Sequence, residues 1–166
     1  MRYMQEGGFQ NNPLMRLTLA FTLALLALFW STNIAIYFSR MTLEPATVVS
    51  YYNGSEADFR PPRSAASMLE VSHMHLPMMG MVLLFLTHLV IFVPLARAAR
   101  VAFIVTTFVS AFLEEGAGWL VRFVSPSFAI LKVVGFVGLQ TAILCLIVAL
   151  GAFLISAARR PPFPRM

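Results

Sequence analysis

Four long apolar stretches follow one another along this chain, at residues 14–38, about 68–95, about 101–124 and about 128–157. Each exceeds the about 20 apolar residues that cross a hydrocarbon core. The last three are separated by short breaks, Arg97 to Arg100 and Ser125-Pro126-Ser127, and turns this tight force antiparallel neighbours. One substantial loop, residues 39–66, lies between the first two spans. It carries Tyr51-Tyr52-Asn53-Gly54-Ser55 and Arg60-Pro61-Pro62-Arg63. Asn53-Gly54-Ser55 has the form of a glycosylation sequon but reads as an Asn-Gly turn. The pattern predicts an all-α integral membrane four-helix bundle, a single domain over 166 residues.

Composition agrees with that reading. Hydrophobic residues make up 59% of the chain and charged residues 11%, more apolar surface than a soluble domain of this size needs. The first apolar run is too long for a signal h-region and no small-residue cleavage site follows it, so it is expected to stay as an anchor. Cys145, the one cysteine, forms no intrachain disulfide and is expected to be a small core residue.

The net charge of +5 does not point to nucleic acid, because the basic residues sit at the ends of the spans. Arg2, Arg16, Arg97, Arg100, Arg159, Arg160 and Arg165 fall on one side. Arg40, Arg60 and Arg63 fall in the long loop, offset by Glu44, Glu56 and Asp58. Both termini are therefore expected in the cytoplasm and the loop outside, in the periplasm if the membrane is a bacterial inner membrane.

The second span opens with the chain's densest chemistry. It reads Met68-Leu-Glu-Val-Ser-His-Met-His-Leu-Pro-Met-Met-Gly-Met81, and all three histidines, His73, His75 and His88, lie on this span. Imidazole and carboxylate are costly near hydrocarbon unless paired, coordinated or turned to a protein interior. On the predicted topology, Glu114, Glu115 and Arg122 of the third span and Lys132 of the fourth reach the same outer depth. At 100° per residue, Glu70, His73, Pro77, Gly80, Leu84 and His88 share one stripe and His75 points nearly opposite His73. One ion cannot take both imidazoles from a regular helix, unless Pro77 unwinds it locally. Glu70-x-x-His73 has the spacing of carboxylate–metal sites in bundles, although such sites usually use two such pairs. His88 lies about 22 Å along the helix from His73, too far to share an ion.

These residues support two kinds of site. His73, His75, Glu70 and Glu114 are candidate ligands of a transition metal, iron or copper. His73, His75, His88 and Arg122 are candidates for holding haem b, with Arg122 on a propionate. All the histidines lie on one helix, so a bis-histidine haem needs a second copy or another subunit. The competing readings are bland ones: a Glu70–His73 interfacial hydrogen bond, acids that pair with Arg122 or Lys132 to fasten the bundle, and methionines that fill gaps. Glu114 is expected to face the second span, with Glu115 turned about 100° away. Gly116, Gly118, Gly135, Gly138 and Gly151 are expected to let helices pack closely.

The run Val71-Ser-His-Met-His-Leu76, with Glu114-Glu-Gly-Ala-Gly-Trp-Leu-Val-Arg122 and Ser125-Pro-Ser-Phe-Ala129, resembles an uncharacterised family of small four-helix bacterial inner-membrane proteins. That family has a Ser-His-x-His-Leu motif, and some relatives carry a c-type cytochrome segment in the loop before it. The resemblance marks His73, His75, Glu114, Trp119 and Arg122 as family-like positions. The chain departs in having Gly118 where a second aromatic is typical, and its loop has no CxxCH.

The expected function is a membrane protein with a metal or haem site near the periplasmic face, serving electron transfer beside other redox subunits or in a homodimer. A cofactor-free structural or assembly subunit is the alternative, and a copper-handling protein a weaker one. Whether the chain is an enzyme stays open. The topology has a direct check: a cysteine introduced at Ser55 should react with an impermeant thiol reagent added outside, and one at Ser156 should not. The reverse result inverts every depth assigned above.

Overall fold

The structure is a computed structural model, described here for residues 12–57 and 59–158. Arg2, Asp58, Arg159, Arg160 and Arg165 of the charge pattern lie outside the described residues. Among the described residues there are five α-helices: α1 (Pro13–Phe38), α2 (Pro45–Asn53), α3 (Ala65–Val90), α4 (Arg97–Phe123) and α5 (Ala129–Ala158). A 3-10 turn, Pro126–Phe128, leads into α5. The last two helices of the bundle thus form a hairpin. All but α2 belong to segments long and apolar enough to cross a membrane. The all-α membrane bundle read from the hydrophobic pattern is the fold.

Local signals set the helix ends. Pro13 sits in the first turn of α1, where its missing N–H costs nothing, and Asn12 Oδ1 accepts from the amides of Leu14 at 3.0 Å and Met15 at 3.3 Å. Ser64 caps α3 in the same way through the Ser67 amide. The turn between α3 and α4 spans 91–96, earlier than the Arg97–Arg100 break that charge alone suggests. Pro94 cannot continue a helix, whereas Arg97 and Arg100 tolerate the first turn of α4. Arg100 Nη1 then donates to the carbonyl of Ile91 at 2.8 Å, serving a backbone acceptor at the end of α3. Pro77 does not unwind α3, which stays helical from residue 65 to 90.

The loop between α1 and α3 is not merely a connection. Its α2 starts on Pro45 and buries Val48 completely against Tyr37, Met41, Val121, Val133 and Phe136. The sequence hides this helix because Thr47, Val48 and Val49 are β-branched and the segment is short. Gly54 closes α2 at φ +86°, where a side chain would be strained and a Cβ would stand 2.6 Å from the Arg60 carbonyl oxygen. The chain then doubles back through a Ser55–Arg60 bridge.

A second core, Leu83, Leu86, Val90, Ala111, Leu139, Ile143 and Leu146, fills the far half of the bundle. Helix α1 is the most loosely held and leaves Leu14, Phe21 and Leu25 exposed, as a surface facing lipid would. It is tied to α5 by Trp30 Nε1 donating to the Gln140 carbonyl at 3.0 Å and by Tyr37 stacked on Phe136. Cys145 is exposed on α5 rather than in the core, because Leu146 takes the inward position beside it.

The tightest helix contact is α4 on α5. A Cβ on Gly135 would lie 2.5 Å from the Glu114 amide nitrogen, and one on Gly138 would lie 2.6 Å from Ser110 Oγ. Two backbones approach this closely only where side chains are missing. Gly116 and Gly151 have open space instead and make no such contact. Gly135→Val should therefore cost on the order of 3 kcal/mol or more through overpacking against backbone, while Gly151→Ala should leave stability nearly unchanged. Thermal unfolding of the two purified variants checks this, and equal midpoints would refute the close contact.

Candidate functional site

The polar side chains gather at the end of the bundle that carries α2. A cavity of about 100 Å³ lies there between α1, α2, α3, α4 and α5. Its lining includes Tyr52, Arg63, His75, Glu114, Glu115 and Lys132.

Neighbouring acids on α4 serve different helices. Glu115 faces α3: its Oε1 accepts from Ser72 Oγ at 2.5 Å, and its Oε2 stands 3.5 Å from His75 Nδ1. Ser72 Oγ in turn accepts from Trp119 Nε1 at 3.0 Å. Helical spacing builds this array, since Ser72 and His75 are three apart on α3 and Glu115 and Trp119 four apart on α4. Glu114 faces α5 instead. Lys132 Nζ donates to its carboxylate and, at 2.7 Å, to its backbone carbonyl. The expectation that Glu114 turns to the second span and Glu115 away is thus reversed. Ser110, Glu114 and Gly118 form the stripe that meets α5 and α2, and the next residue round the helix meets α3. Hydrophobic phase shows which positions are inward but not which neighbour stands on each side.

The two arms differ in burial. Lys132 is 6% exposed and the Glu114 side chain 13%, so this pair is shut inside protein. The Glu115 side chain is 14% exposed, but His75 is 55% exposed at the bundle surface. The His75–Glu115 arm therefore reaches from the interior to the surface of the bundle.

Tyr52 closes the cavity from α2. Its ring lies 6.0 Å from Lys132 Nζ, and a Cβ at Gly118 would stand 2.6 Å from its hydroxyl. Gly118 thus admits an aromatic ring from another element. Burial pushes the Tyr52 hydroxyl above the ordinary phenol range, against the opposing pull of Lys132. It stays protonated at physiological pH.

The remaining candidates lie apart. Glu70, His73 and His88 are exposed on the outward surface of α3, with His88 edge-on to Phe92. Because α3 runs unbroken through Pro77, His73 and His75 point to different sides. Arg122 is no counter-ion to Glu114. Its Nε donates to the Arg63 carbonyl at 2.8 Å and its guanidinium lies over Phe123. Among the described residues, no three His, Cys, Asp or Glu side chains converge on one ion position. Ser72 stands in the Ser-His-x-His-Leu motif, and its spacing from His75 signals a shared partner that the sequence alone does not assign. Nothing in the loop's composition points to a site role for Tyr52.

The two acids should separate on substitution. Glu114→Gln leaves the buried Lys132 charge uncompensated and should cost on the order of 3 kcal/mol of stability. Glu115→Gln keeps hydrogen-bonding capacity beside a partly exposed imidazole and should cost less than about 1 kcal/mol. Unfolding midpoints of the two variants in one detergent measure the difference, and equal losses would contradict the division of roles.

No curated protein and no solved structure matches the chain. The model of the Aq_1264_TM family, a transmembrane helical domain, matches residues 42–161. That range holds α2 to α5 and, within them, His75, Glu114, Glu115, Trp119 and Lys132. The chain belongs to this family of transmembrane helical domains.

Proposed function

We propose that the chain is a membrane subunit of a respiratory electron-transfer assembly, and that its loop-end site accepts protons from a lipid-soluble carrier of the quinol class. The observation that carries this reading is the His75–Glu115 arm. Glu115 sits at 3.5 Å from His75 Nδ1 and is itself held by Ser72. A carboxylate there favours the tautomer with its hydrogen on Nδ1 and leaves the Nε2 lone pair outward as a base. His75 is 55% exposed, so a ligand could reach it from outside the bundle. A quinol hydroxyl donates to Nε2, and its proton passes to the imidazole as an electron leaves. The Glu115 carboxylate stabilises the resulting imidazolium. Each quinol releases two protons and two electrons and becomes the quinone, the second proton following the first after His75 discharges to water.

The electrons need an acceptor on a partner. Haem b, iron or copper would suit that role, and Glu70 and His73, exposed on α3 near this end of the bundle, are the groups this chain could offer it. They would have to be joined by ligands of another subunit or a second copy, and His88 lies too far along the helix to take part. On the positive-inside pattern the site lies at the periplasmic face of a bacterial inner membrane, with both termini cytoplasmic. The cytochrome segment of some relatives of the resembling family fits a redox partner on that side.

The buried Lys132–Glu114 pair favours a second reading for its own half of the site, a fastener of α4 to α5. A wholly structural subunit would extend that role to His75 and Glu115.

Trp119 offers the readout, because its indole bonds Ser72 inside the array. In a Trp30→Phe background it is the only tryptophan. A short-chain quinone, whose carbonyl accepts from Nε2–H of the imidazolium form that proton transfer leaves, should quench its fluorescence saturably, and His75→Gln and Glu115→Gln should weaken that binding about tenfold, the loss of one charge-assisted hydrogen bond. His88→Ala should not. Linear quenching, or unchanged binding in folded His75→Gln, removes the quinol reading. A Soret band or stoichiometric metal in the same preparation would put the acceptor on this chain.

A further inference from the structure

Two guanidinium groups meet at one phenol oxygen on the loop side of the bundle. Arg40 Nη1 donates to Tyr51 Oη at 3.1 Å, and Arg63 Nη2 donates to the same oxygen at 2.7 Å. The two donor nitrogens are therefore no more than about 6 Å apart, a separation at which like charges repel. Among the described residues neither guanidinium makes an ion pair. The other side-chain contacts of Arg63 are Ser67 Oγ at 3.5 Å and the face of the Tyr51 ring, 4.5 Å from its centroid. Across the inner cavity Glu115 is committed to Ser72 and His75, and Glu114 to Lys132. The loop acids Glu44 and Glu56 are exposed and paired with neither arginine.

The hydroxyl of Tyr51 accepts both of these bonds, and among the described residues nothing accepts its own hydrogen. Two guanidiniums and one hydroxyl hydrogen thus meet with no carboxylate between them among the described residues. They open onto a groove of about 480 Å³ whose walls include Ser39, Arg60, Pro62 and Ser64. The cradle is held in place beforehand. Arg63 is pinned through its amide, which donates to the Tyr52 carbonyl at 2.9 Å, and through its carbonyl, which accepts from Arg122 Nε at 2.8 Å. Two prolines immediately before it restrict the backbone further. Arg122 is thus a positioning residue for Arg63.

We propose that Arg40, Tyr51 and Arg63 form a binding site for a phosphate group. An anion in the groove would neutralise the arginine pair and take the hydroxyl hydrogen. Tetrahedral phosphate suits donors arriving from several directions, and guanidinium matches its oxygens. The phosphate belongs either to the headgroup of an anionic phospholipid or to free inorganic phosphate. Arg40, Tyr51 and Arg63 also line the inner cavity, so the phosphate site adjoins the His75–Glu115 array without using its residues.

Two arms test this on the full chain. In the first, delipidated protein in a non-ionic detergent is titrated with inorganic phosphate, with chloride at matched ionic strength as control, and the thermal midpoint is followed. In the second, protein in nanodiscs of equal phosphatidylcholine and phosphatidylglycerol is released into a mass spectrometer and its retained lipid identified. A saturable, phosphate-specific rise in midpoint assigns the site to the free anion. Selective retention of phosphatidylglycerol without that rise assigns it to the headgroup. In either case Arg40→Gln with Arg63→Gln should abolish the effect, and Tyr51→Phe should weaken it about tenfold. Arg40 is exposed, so Arg40→Gln alone gives a folded variant if the double one fails, and it too should lose most of the effect. No response from folded wild-type protein in either arm, or an undiminished response in folded Arg40→Gln, overturns the proposal.

Discussion

The close contact of α4 with α5 governs the arrangement of everything at the loop end of this bundle. Gly135 lets the α5 backbone come against Glu114, and Lys132, one turn before it, bonds that residue at both its carboxylate and its carbonyl. A cation in this environment is tolerable only with such partners, because desolvation otherwise disfavours it strongly. Steric fit and charge pairing therefore specify the same register. Once α4 is set against α5, the next residue along, Glu115, is directed to α3.

That single rotation divides the site into an enclosed arm and an open one. The Glu114–Lys132 arm is sealed by Tyr52 and has the character of a structural pin. The Glu115–His75 arm ends in an imidazole more than half exposed. Proton exchange requires a group that a ligand or water can reach, so the open arm is the one suited to chemistry. Helix α2 makes the division sharper. Its Val48 anchors it in the core, its Tyr52 closes the inner cavity, and its Tyr51 gathers Arg40 and Arg63 on the outer side. One short helix thus stands beside both an inner cavity with acids on its wall and a groove, and Arg40 and Arg63 border the two.

Ion pairing also explains why counting loop charges misleads here. Arg40 and Arg63 balance against Glu44 and Glu56 in a tally of the sequence. In space they turn to Tyr51 instead, and the acids stay exposed. Arg122 shows the same effect. It shares a helix with Glu114 and Glu115, yet bonds a loop carbonyl, because both carboxylates are taken by α3 and α5.

The helical membrane class was legible in the sequence, because apolar runs of this length have few other uses. So was the gathering of ionisable residues towards one end, which follows from their positions along antiparallel helices. The caps at Asn12 and Ser64 and the stop at Pro94 are likewise local properties of the chain. Tertiary structure decided the rest. Helical periodicity gives the angle between Glu114 and Glu115 but not which neighbour lies on either side, and that choice reversed their partners. The same ambiguity hid the outward turn of His73 and His88. Helix α2 was illegible because its β-branched residues oppose helix formation on their own, and burying Val48 against α4 and α5 supplies what they lack. The Arg40–Tyr51–Arg63 convergence joins the end of α1, α2 and the start of α3. No pattern along the chain encodes a meeting that exists only once all three are packed.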